Sequence, residues 1–265
     1  MSVEQSAPVS GAQTVTLSPA TGEAFTLGST ISNTGGNTNS VVKTGGGTTT
    51  LTLANSYTGS TTVNAGKLLV NNTTGSGTGS GAVSVASGAI LGGTGSISGA
   101  VNVLGTLAPG ASIESLATGA LSFGDLSTFA YEMNSGALSS VAADFQKVFG
   151  NLALTGTVSL TLADLASSPV AFAPSTTLSL VNYTGAWNGG FFTYAGNELT
   201  NNEVFTAGLN TWQITYGATS GGLNFASEYD LGGSFINLTA VPEPGSLLAL
   251  GCVLGSGVLL RSRRR

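Results

Sequence analysis

The chain has 265 residues, of which 40 are Gly, 12 are acidic, 7 are basic and none is His. Only 7% of the residues are charged, whereas about a quarter are charged in an average domain. Because 41% are hydrophobic, the chain can bury a core and is not expected to be disordered. The lack of His excludes His-based zinc and haem sites and the Ser-His-Asp and Cys-His catalytic devices, and no cofactor is predicted.

Charge is distributed unevenly along the chain. Before Pro242 there are 11 acidic residues but only three basic ones, Lys43, Lys67 and Lys147. The Arg residues all lie within the last five positions and are Arg261, Arg263, Arg264 and Arg265. The body of the protein therefore has no basic patch for phosphate groups, which argues against a nucleic-acid partner.

Residues 1–42 are predicted to form a polar N-terminal β segment, with short β-prone runs such as 14–17. Residues 1–12 contain neither the basic region nor the apolar stretch of a signal peptide. We therefore expect export to require an additional N-terminal signal.

Residues 43–126 form a series of short runs that alternate apolar and polar residues and are separated by Gly. Gly-Ala-Val-Ser-Val at 81–85 returns as Gly-Ala-Val-Asn-Val at 99–103, eighteen residues later. Repeats of roughly 20 residues built from short strands predict a solenoid, with Gly at the corners and Val, Leu and Ile stacked inside. A flexible Gly/Ser/Thr linker is the alternative, above all over 75–81.

Residues 127–240 are predicted to be a β-rich C-terminal portion. The predicted strands are 151–162, divided in two at Gly156, and 177–182, 212–216, 223–225 and 235–238. Residues 217–222 would form a hairpin loop. One short helix is expected over 139–148, and Asp144 is expected to cap its helical part 145–148.

The end of the chain changes character abruptly. Residues 241–245, Val-Pro-Glu-Pro-Gly, should be extended and helix-breaking. Residues 246–260 carry no charge and precede the Arg cluster. We predict a single C-terminal transmembrane helix over 246–260, with the Arg side chains held in the cytoplasm, and a helix buried in the core is the alternative.

One segment resembles the autotransporter-associated β-strand repeat. Lys-Thr-Gly-Gly-Gly-Thr at 43–48 leads into Asn-Ser-Tyr-Thr-Gly at 55–59 and then Val-Asn-Ala-Gly-Lys-Leu at 63–68. The resemblance covers roughly residues 30–165 and implies a right-handed parallel β-helix.

The tail resembles the PEP-CTERM sorting signal. Its parts are Val241, Pro242, Glu243 and Pro244, then the apolar segment, then Arg261, Arg263, Arg264 and Arg265. The resemblance implies processing by an exosortase-type sorting enzyme, transient anchoring in the inner membrane, and a final location at the cell surface or outside the cell. It also implies an organism that makes exopolysaccharide, so extracellular polysaccharide is a further candidate partner.

No catalytic or metal site is predicted. The carboxylates of the body include Glu114, Asp125, Glu132, Asp144 and Asp164, and nothing in the sequence places two of them together as glycoside hydrolysis requires. We therefore expect a non-enzymatic, exported structural or adhesive protein.

The alternative function is a carbohydrate-binding surface module. Trp187, Trp212 and Tyr216 could stack on sugar rings, although packing in the core or in a hairpin is the favoured interpretation of these three residues.

Overall fold

The computed structural model describes residues 2–5, 12–33, 35–136, 143–224 and 232–242. Within these ranges the chain is all-β and contains no helix. The strands are β1 (Ser2–Gln5), β2 (Gln13–Ser18), β3 (Ala24–Leu27), β4 (Asn39–Lys43), β5 (Thr48–Leu51), β6 (Thr61–Val63), β7 (Lys67–Val70), β8 (Val83–Val85), β9 (Ile90–Gly93), β10 (Ser96–Ile97), β11 (Val101–Val103), β12 (Thr106–Pro109), β13 (Ser115–Thr118), β14 (Leu121–Phe123), β15 (Ser127–Met133), β16 (Phe145–Val148), β17 (Leu152–Leu154), β18 (Val158–Asp164), β19 (Thr177–Tyr183), β20 (Phe192–Tyr194), β21 (Asn197–Glu198), β22 (Val204–Ala207), β23 (Asn210–Ala218) and β24 (Ser234–Val241).

The strands form three sheets, because successive strands of the chain go to different sheets and pair with their equivalents one coil later. Sheet A has the order β1-β2-β4-β6-β8-β11-β14-β17, and sheet B has the order β21-β20-β18-β15-β12-β9-β7-β5-β3. Sheet C has the order β10-β13-β16-β19-β24-β23-β22. Pairing from β2 to β17 in sheet A and from β3 to β20 in sheet B is parallel, which is a β-solenoid-like arrangement.

Antiparallel pairs lie at both ends of this stack. At the N-terminal end β1 pairs antiparallel with β2. At the other end β19, β24, β23 and β22 are joined by antiparallel pairs and extend sheet C. The parallel coils therefore pass into a C-terminal group of antiparallel strands, which we call the C-terminal strands (β22–β24).

The eighteen-residue recurrence predicts the register of sheet A. Val83 pairs with Val101 and Val85 with Val103, and all four side chains are buried. Ser84 lies between the two valines of β8 and is exposed, as the alternation of a strand with one buried face requires.

A flexible linker over 75–81 is the wrong interpretation. This segment forms a turn that hydrogen-bonds to the neighbouring coils, for example from the amide of Ser80 to the carbonyl oxygen of Tyr57 at 3.1 Å. Gly79 and Gly81 lie so close to the coil below that a Cβ on either would be 2.0 Å from a backbone oxygen. The glycines of this turn therefore permit close packing.

Three sequence-based expectations about local structure are wrong. Phe145–Val148 is strand β16 and not the end of a helix, because β13 and β19 provide ladder partners on both sides; residues 139–142 lie outside the described residues. The predicted strand 223–225 is not formed at its start, because Leu223 and Asn224 lie in a turn; residue 225 lies outside the described residues. The expectation that Ile side chains stack inside fails at Ile90, which lies outward and half-buried, while Leu91 takes the inward position.

The fold class predicted with a C-terminal transmembrane helix is corrected to an all-β chain over the described residues. None of the segments described by the structure forms a helix long and apolar enough to cross a membrane. The segment 246–260 itself lies outside the described residues.

The sheets continue across the predicted segment boundaries. Strand β4 contains the 42/43 boundary and pairs along its whole length with β2. Strands β12 and β15, which lie on either side of the 126/127 boundary, pair with each other. The division into segments at these positions stays a prediction.

Candidate functional site

A lysine lies in the interior of the solenoid. In sheet A the inward positions pair from coil to coil, and the column that contains Lys43 continues with Val63, Val85 and Val103. The Lys43 side chain is 0% exposed. Its Nζ donates hydrogen bonds to the carbonyl oxygens of Thr44, Gly45 and Ala65, at 2.8, 2.9 and 2.9 Å.

The ammonium group of Lys43 therefore uses its three protons on backbone oxygens from two successive coils. Burial lowers the pKa of Lys43 below its ordinary value, because the interior disfavours the charged form. Because all three protons of its ammonium group are donated, Lys43 fixes the positions of these backbone oxygens and is not available to a ligand.

Gly66 completes this corner. It has a φ of +67°, and a Cβ at this position would be 2.4 Å from the carbonyl oxygen of Gly47 and 2.8 Å from Nζ of Lys43. Glycine is therefore required twice, for its backbone conformation and for the closeness of the neighbouring coil.

Asn55 joins three coils. Its Oδ1 accepts a hydrogen bond from the amide of Ile31 at 2.6 Å, and its Nδ2 donates to the carbonyl oxygen of Gly77 at 2.6 Å. The carboxamide adds to two backbone bonds between the same coils, from the amide of Asn55 to the carbonyl oxygen of Ser76 and from the amide of Ser56 to that of Ile31.

Tyr57 and Thr61 form a buried polar pair. Their hydroxyl oxygens are 2.5 Å apart, and both residues are 0% exposed. Thr61 lies in the inward column between Val41 and Val83. Burial raises the pKa of Tyr57 to about 12, so that the phenol is neutral and its hydroxyl is taken up inside the core.

The outer face of sheet A carries a shallow groove with a volume of about 290 Å³. Small, uncharged side chains line it, and they include Ala82, Ser84, Ala100, Asn102, Ala120 and Ser122. Asn151 and Asn188 lie at the end of the groove nearer the C-terminal strands. The groove contains no ionisable or aromatic side chain and therefore provides no group for acid–base or nucleophilic chemistry.

The aromatic residues considered for sugar stacking are committed to packing. Trp212 is 0% exposed, and its ring lies 5.5 Å from that of Phe172. Trp187 is half-buried and stacks on Tyr216 at 5.0 Å with an interplanar angle of 9°. Tyr216 is buried, and its hydroxyl oxygen accepts a hydrogen bond from the amide of Phe192 at 2.9 Å.

The structure brings together three of the carboxylate residues that the sequence left separate. Asp144 is 1% exposed, and its two oxygens accept the backbone amides of Glu114 and Glu132 at 3.1 and 2.9 Å. Asp164 is placed elsewhere, where it accepts the hydroxyl and the amide of Ser135. No group of His, Cys, Asp and Glu in the described ranges could hold a metal ion.

The residues of the predicted sorting signal are only partly described. Val241 is the last residue of β24 and pairs with Thr211, and Pro242 is exposed directly after it. The remaining sorting residues, Glu243, Pro244, Arg261, Arg263, Arg264 and Arg265, lie outside the described residues.

Four polar residues of the repeat thus form their side-chain hydrogen bonds inside the stack, namely Lys43, Asn55, Tyr57 and Thr61. Residues 41–70 match the model of the passenger-associated-transport-repeat family, and this segment contains Lys43, Asn55, Tyr57, Thr61 and Gly66. No curated protein matches the chain. The match indicates a surface-associated protein related to autotransporters.

The sequence analysis identifies Lys43 only as the first residue of the repeat motif and does not predict that its side chain is buried and bonded to backbone oxygens. A charged residue at an inward position of an alternating run, next to three glycines, was the available signal. The sequence also gives no sign of the role of Asn224, a buried residue that donates to Tyr131, Asp144 and Ser179. These partners lie 45 to 93 residues away in the sequence.

Proposed function

We propose that this chain is a non-enzymatic cell-surface or extracellular-matrix protein whose solenoid is a structural or adhesive scaffold. The observation that carries the proposal is the hydrogen bonding of Lys43, whose ammonium group donates to three backbone oxygens of the stack. Because the buried lysine of the repeat bonds to the backbone of its own coil and the next one, the repeat serves to stack coils into a long, stiff solenoid. The outer face of sheet A is left small and uncharged, as at Thr62, Ser84 and Asn102.

We also propose that the tail is a sorting signal read by an exosortase-type enzyme. The signal would begin where the last ladder ends, since Val241 still pairs with Thr211 and Pro242 is exposed. Proline has no amide proton and cannot extend the ladder, so the chain leaves the sheet at this residue. Pro242, exposed at the sheet margin, is accessible to such an enzyme.

Surface exposure is tested on intact cells of a native host that makes the protein. Added protease should remove the protein from intact cells while a cytosolic marker survives. Replacing Pro242, Glu243 and Pro244 by Ala should leave the protein inside the protease barrier. Mass spectrometry of the surface form should recover no peptide from 246–265. A protein that resists the protease in intact cells would refute the surface location, and recovery of those peptides would refute processing.

The groove on sheet A favours a second candidate function, which is binding of an uncharged polysaccharide. Asn102, Asn151 and Asn188 line the groove, and Oδ1 of Asn102 and of Asn151 accepts a hydrogen bond from Ser122 and from Ala186. A carboxamide NH₂ of this kind can donate to sugar hydroxyls. Strands repeat along the solenoid at about 4.8 Å, which gives a linear chain of sugars a repeating surface. The lack of ionisable groups in the lining favours a neutral glycan over an anionic one.

Affinity electrophoresis through gels that contain dextran, mannan or alginate tests this second candidate. The proposal predicts retardation by a neutral glycan, and Ala100→Trp should abolish it by filling the groove. Ala130→Trp, at an outward position on sheet B, is the matched control and should bind like the wild type. Migration unaffected by either neutral glycan would exclude glycan binding of the tested kind without affecting the surface proposal.

A further inference from the structure

Lys147 and Asn182 are direct partners at the junction between the parallel coils and the antiparallel strands of sheet C. Lys147 lies on β16 and Asn182 on β19, and the parallel register of the two strands places these residues opposite each other. Ladder partners point to the same face of a sheet, and neighbouring strands lie about 4.8 Å apart. The long side chain of Lys147 can therefore reach the carboxamide of Asn182.

Both residues are buried, although they lie on the outward face of sheet C. Lys147 is 9% exposed and Asn182 is 0% exposed, whereas Ala117, the partner of Lys147 in β13, is half-buried. Phe145, two residues before Lys147, and Phe235, the partner of Asn182 on β24, are buried on the same face. The amine and the carboxamide therefore lie beside two aromatic side chains, with little access to water.

The carboxamide of Asn182 is hydrogen-bonded at one end. Its Nδ2 donates to the carbonyl oxygen of Ser234 at 3.2 Å. Within the described part of the chain, its buried Oδ1 has no hydrogen-bond partner. A buried carboxamide oxygen without a partner is uncommon in folded proteins and requires an explanation. The side chain is thus held in place beside Lys147 through its nitrogen alone.

Lys43 and Lys67 have partners of a different kind. The ladder partners are Leu17 and Val63 for Lys43, and Thr48 and Ile90 for Lys67. None of these four side chains contains a carbonyl carbon that an amine could attack. Among the lysines that the structure describes, only Lys147 is therefore paired with a possible reaction partner.

We propose that Lys147 and Asn182 are joined by an isopeptide bond that forms once β16 and β19 have paired. A bond forms between Nζ of Lys147 and Cγ of Asn182, and the bond between Cγ and Nδ2 breaks. The ammonium group and the carboxamide become one secondary amide. The two protons that Nζ loses leave with Nδ2 as an ammonium ion, so that atoms and charge balance without an oxidant or a further reactant.

Proximity and burial both favour this reaction. The fold holds the amine and the carboxamide side by side, so the step is intramolecular and benefits from a high effective concentration. The product replaces a buried ammonium group by a neutral amide, which costs less free energy to keep away from water. The N–H of the new amide can donate to the carbonyl oxygen of Ser234 in place of Nδ2.

The bond joins the parallel coils covalently to the antiparallel strands. β16 pairs with β13 in the parallel part of sheet C, and β19 pairs with β24 in the antiparallel part. The 265 residues contain a single Cys and cannot form an internal disulfide. The isopeptide bond therefore supplies a cross-link at the place where the C-terminal strands could otherwise separate from the stack.

The intact mass of the full chain tests the proposal. The wild-type protein should be lighter than its sequence by one molecule of ammonia, whereas Lys147→Arg and Asn182→Ala should each have the mass of their own sequence. Asn188→Ala is the matched control, because Asn188 is exposed and precedes Gly189, where formation of a succinimide would release ammonia as well. This control variant should keep the mass deficit of the wild type.

Tryptic digestion of the denatured protein locates the bond. Trypsin does not cleave after a lysine whose Nζ is acylated, so the wild type should give one fragment that spans 68–261. Asn182→Ala should give 68–147 and 148–261 as separate fragments. A wild-type mass equal to that of the sequence overturns the proposal, and so does cleavage after Lys147 in the wild type. A deficit that persists in Asn182→Ala, or that disappears in Asn188→Ala, overturns it as well.

Discussion

Lys43 and Val63 are ladder partners in adjacent coils, so a cation and a valine occupy the same inward column. The valine is held by apolar contacts, whereas the lysine is held by three carbonyl oxygens at the corner that follows it. The corner of residues 44–47 and the corner around Gly66 are joined through this single side chain. Both lie within the matched repeat.

Lys43→Ala should destabilise the protein strongly. The substitution removes the donor of three hydrogen bonds and leaves the carbonyl oxygens of Thr44, Gly45 and Ala65 without this donor. Each buried polar group that loses its partner lowers the stability by about 1–3 kcal/mol. The free energy of unfolding in urea measures the effect. Lys67→Ala is the matched control, because Lys67 lies half-buried at an outward position on β7, and its loss should be within about 0.5 kcal/mol. Equal effects of the two variants would contradict the assigned role of Lys43.

Gly66→Ala should cost more stability than Gly88→Ala. Both glycines have positive φ, +67° and +78°, so alanine is strained at both positions by about 1–2 kcal/mol. Only at Gly66 does a Cβ meet backbone oxygens, while nothing lies within 4 Å of a Cβ at Gly88. The difference between the two melting temperatures therefore isolates the steric contact between coils. A larger loss at Gly88 would show that the corner around Gly66 is open.

Val83→Asp and Ser84→Asp test the alternation of sheet A. Val83 is 0% exposed and lies between Thr61 and Val101, so a carboxylate there is buried without a partner and should cost at least about 3 kcal/mol. Ser84 is exposed one residue later, and Asp at that position should change stability little. Thermal unfolding of the two variants decides the matter, and equal losses would mean that the inward and outward faces are wrongly assigned.

The parts of the fold that could be predicted are those carried by local repetition. The recurrence of Gly-Ala-Val at 81–83 and 99–101 predicts the pairing of Val83 with Val101, because equal spacing places equal residues in register. The alternation is misjudged at Ile90. Ala89 and Leu91 are the buried residues there, so Ile90, which lies between them, points outward.

The parts that could not be predicted depend on distant partners. The spacing of Phe145 and Val148 suits a helix face, but β13 and β19 complete a ladder there that no local pattern reveals. The turn that contains Asn224 depends on a hydrogen bond from this residue to Tyr131, 93 residues earlier in the chain. A single Asn has no period, so the sequence does not indicate that this residue is buried or which groups it binds.

Asn55→Asp should convert a coil-to-coil bond into a pH-dependent one. The substituted carboxylate can still accept the amide of Ile31, but its second oxygen faces the carbonyl oxygen of Gly77, where Nδ2 donated before. At pH 7 the variant should therefore be less stable than the wild type by about 2 kcal/mol or more.

Acid should restore part of the stability that Asn55→Asp removes. The protonated carboxyl group can donate to Gly77 again, and both burial and the facing carbonyl oxygen should raise the pKa of the substituted residue. The folded form then binds the proton more tightly than the unfolded chain, so the deficit should shrink as the pH falls from 7 to about 4. Urea unfolding across this range, compared at each pH with the wild type, measures the recovery. Asn64→Asp, at an exposed position in the next corner, is the control and should show neither the deficit nor the recovery. A deficit in Asn55→Asp that stays constant with pH would mean that the carboxamide of Asn55 does not donate to the coil above it.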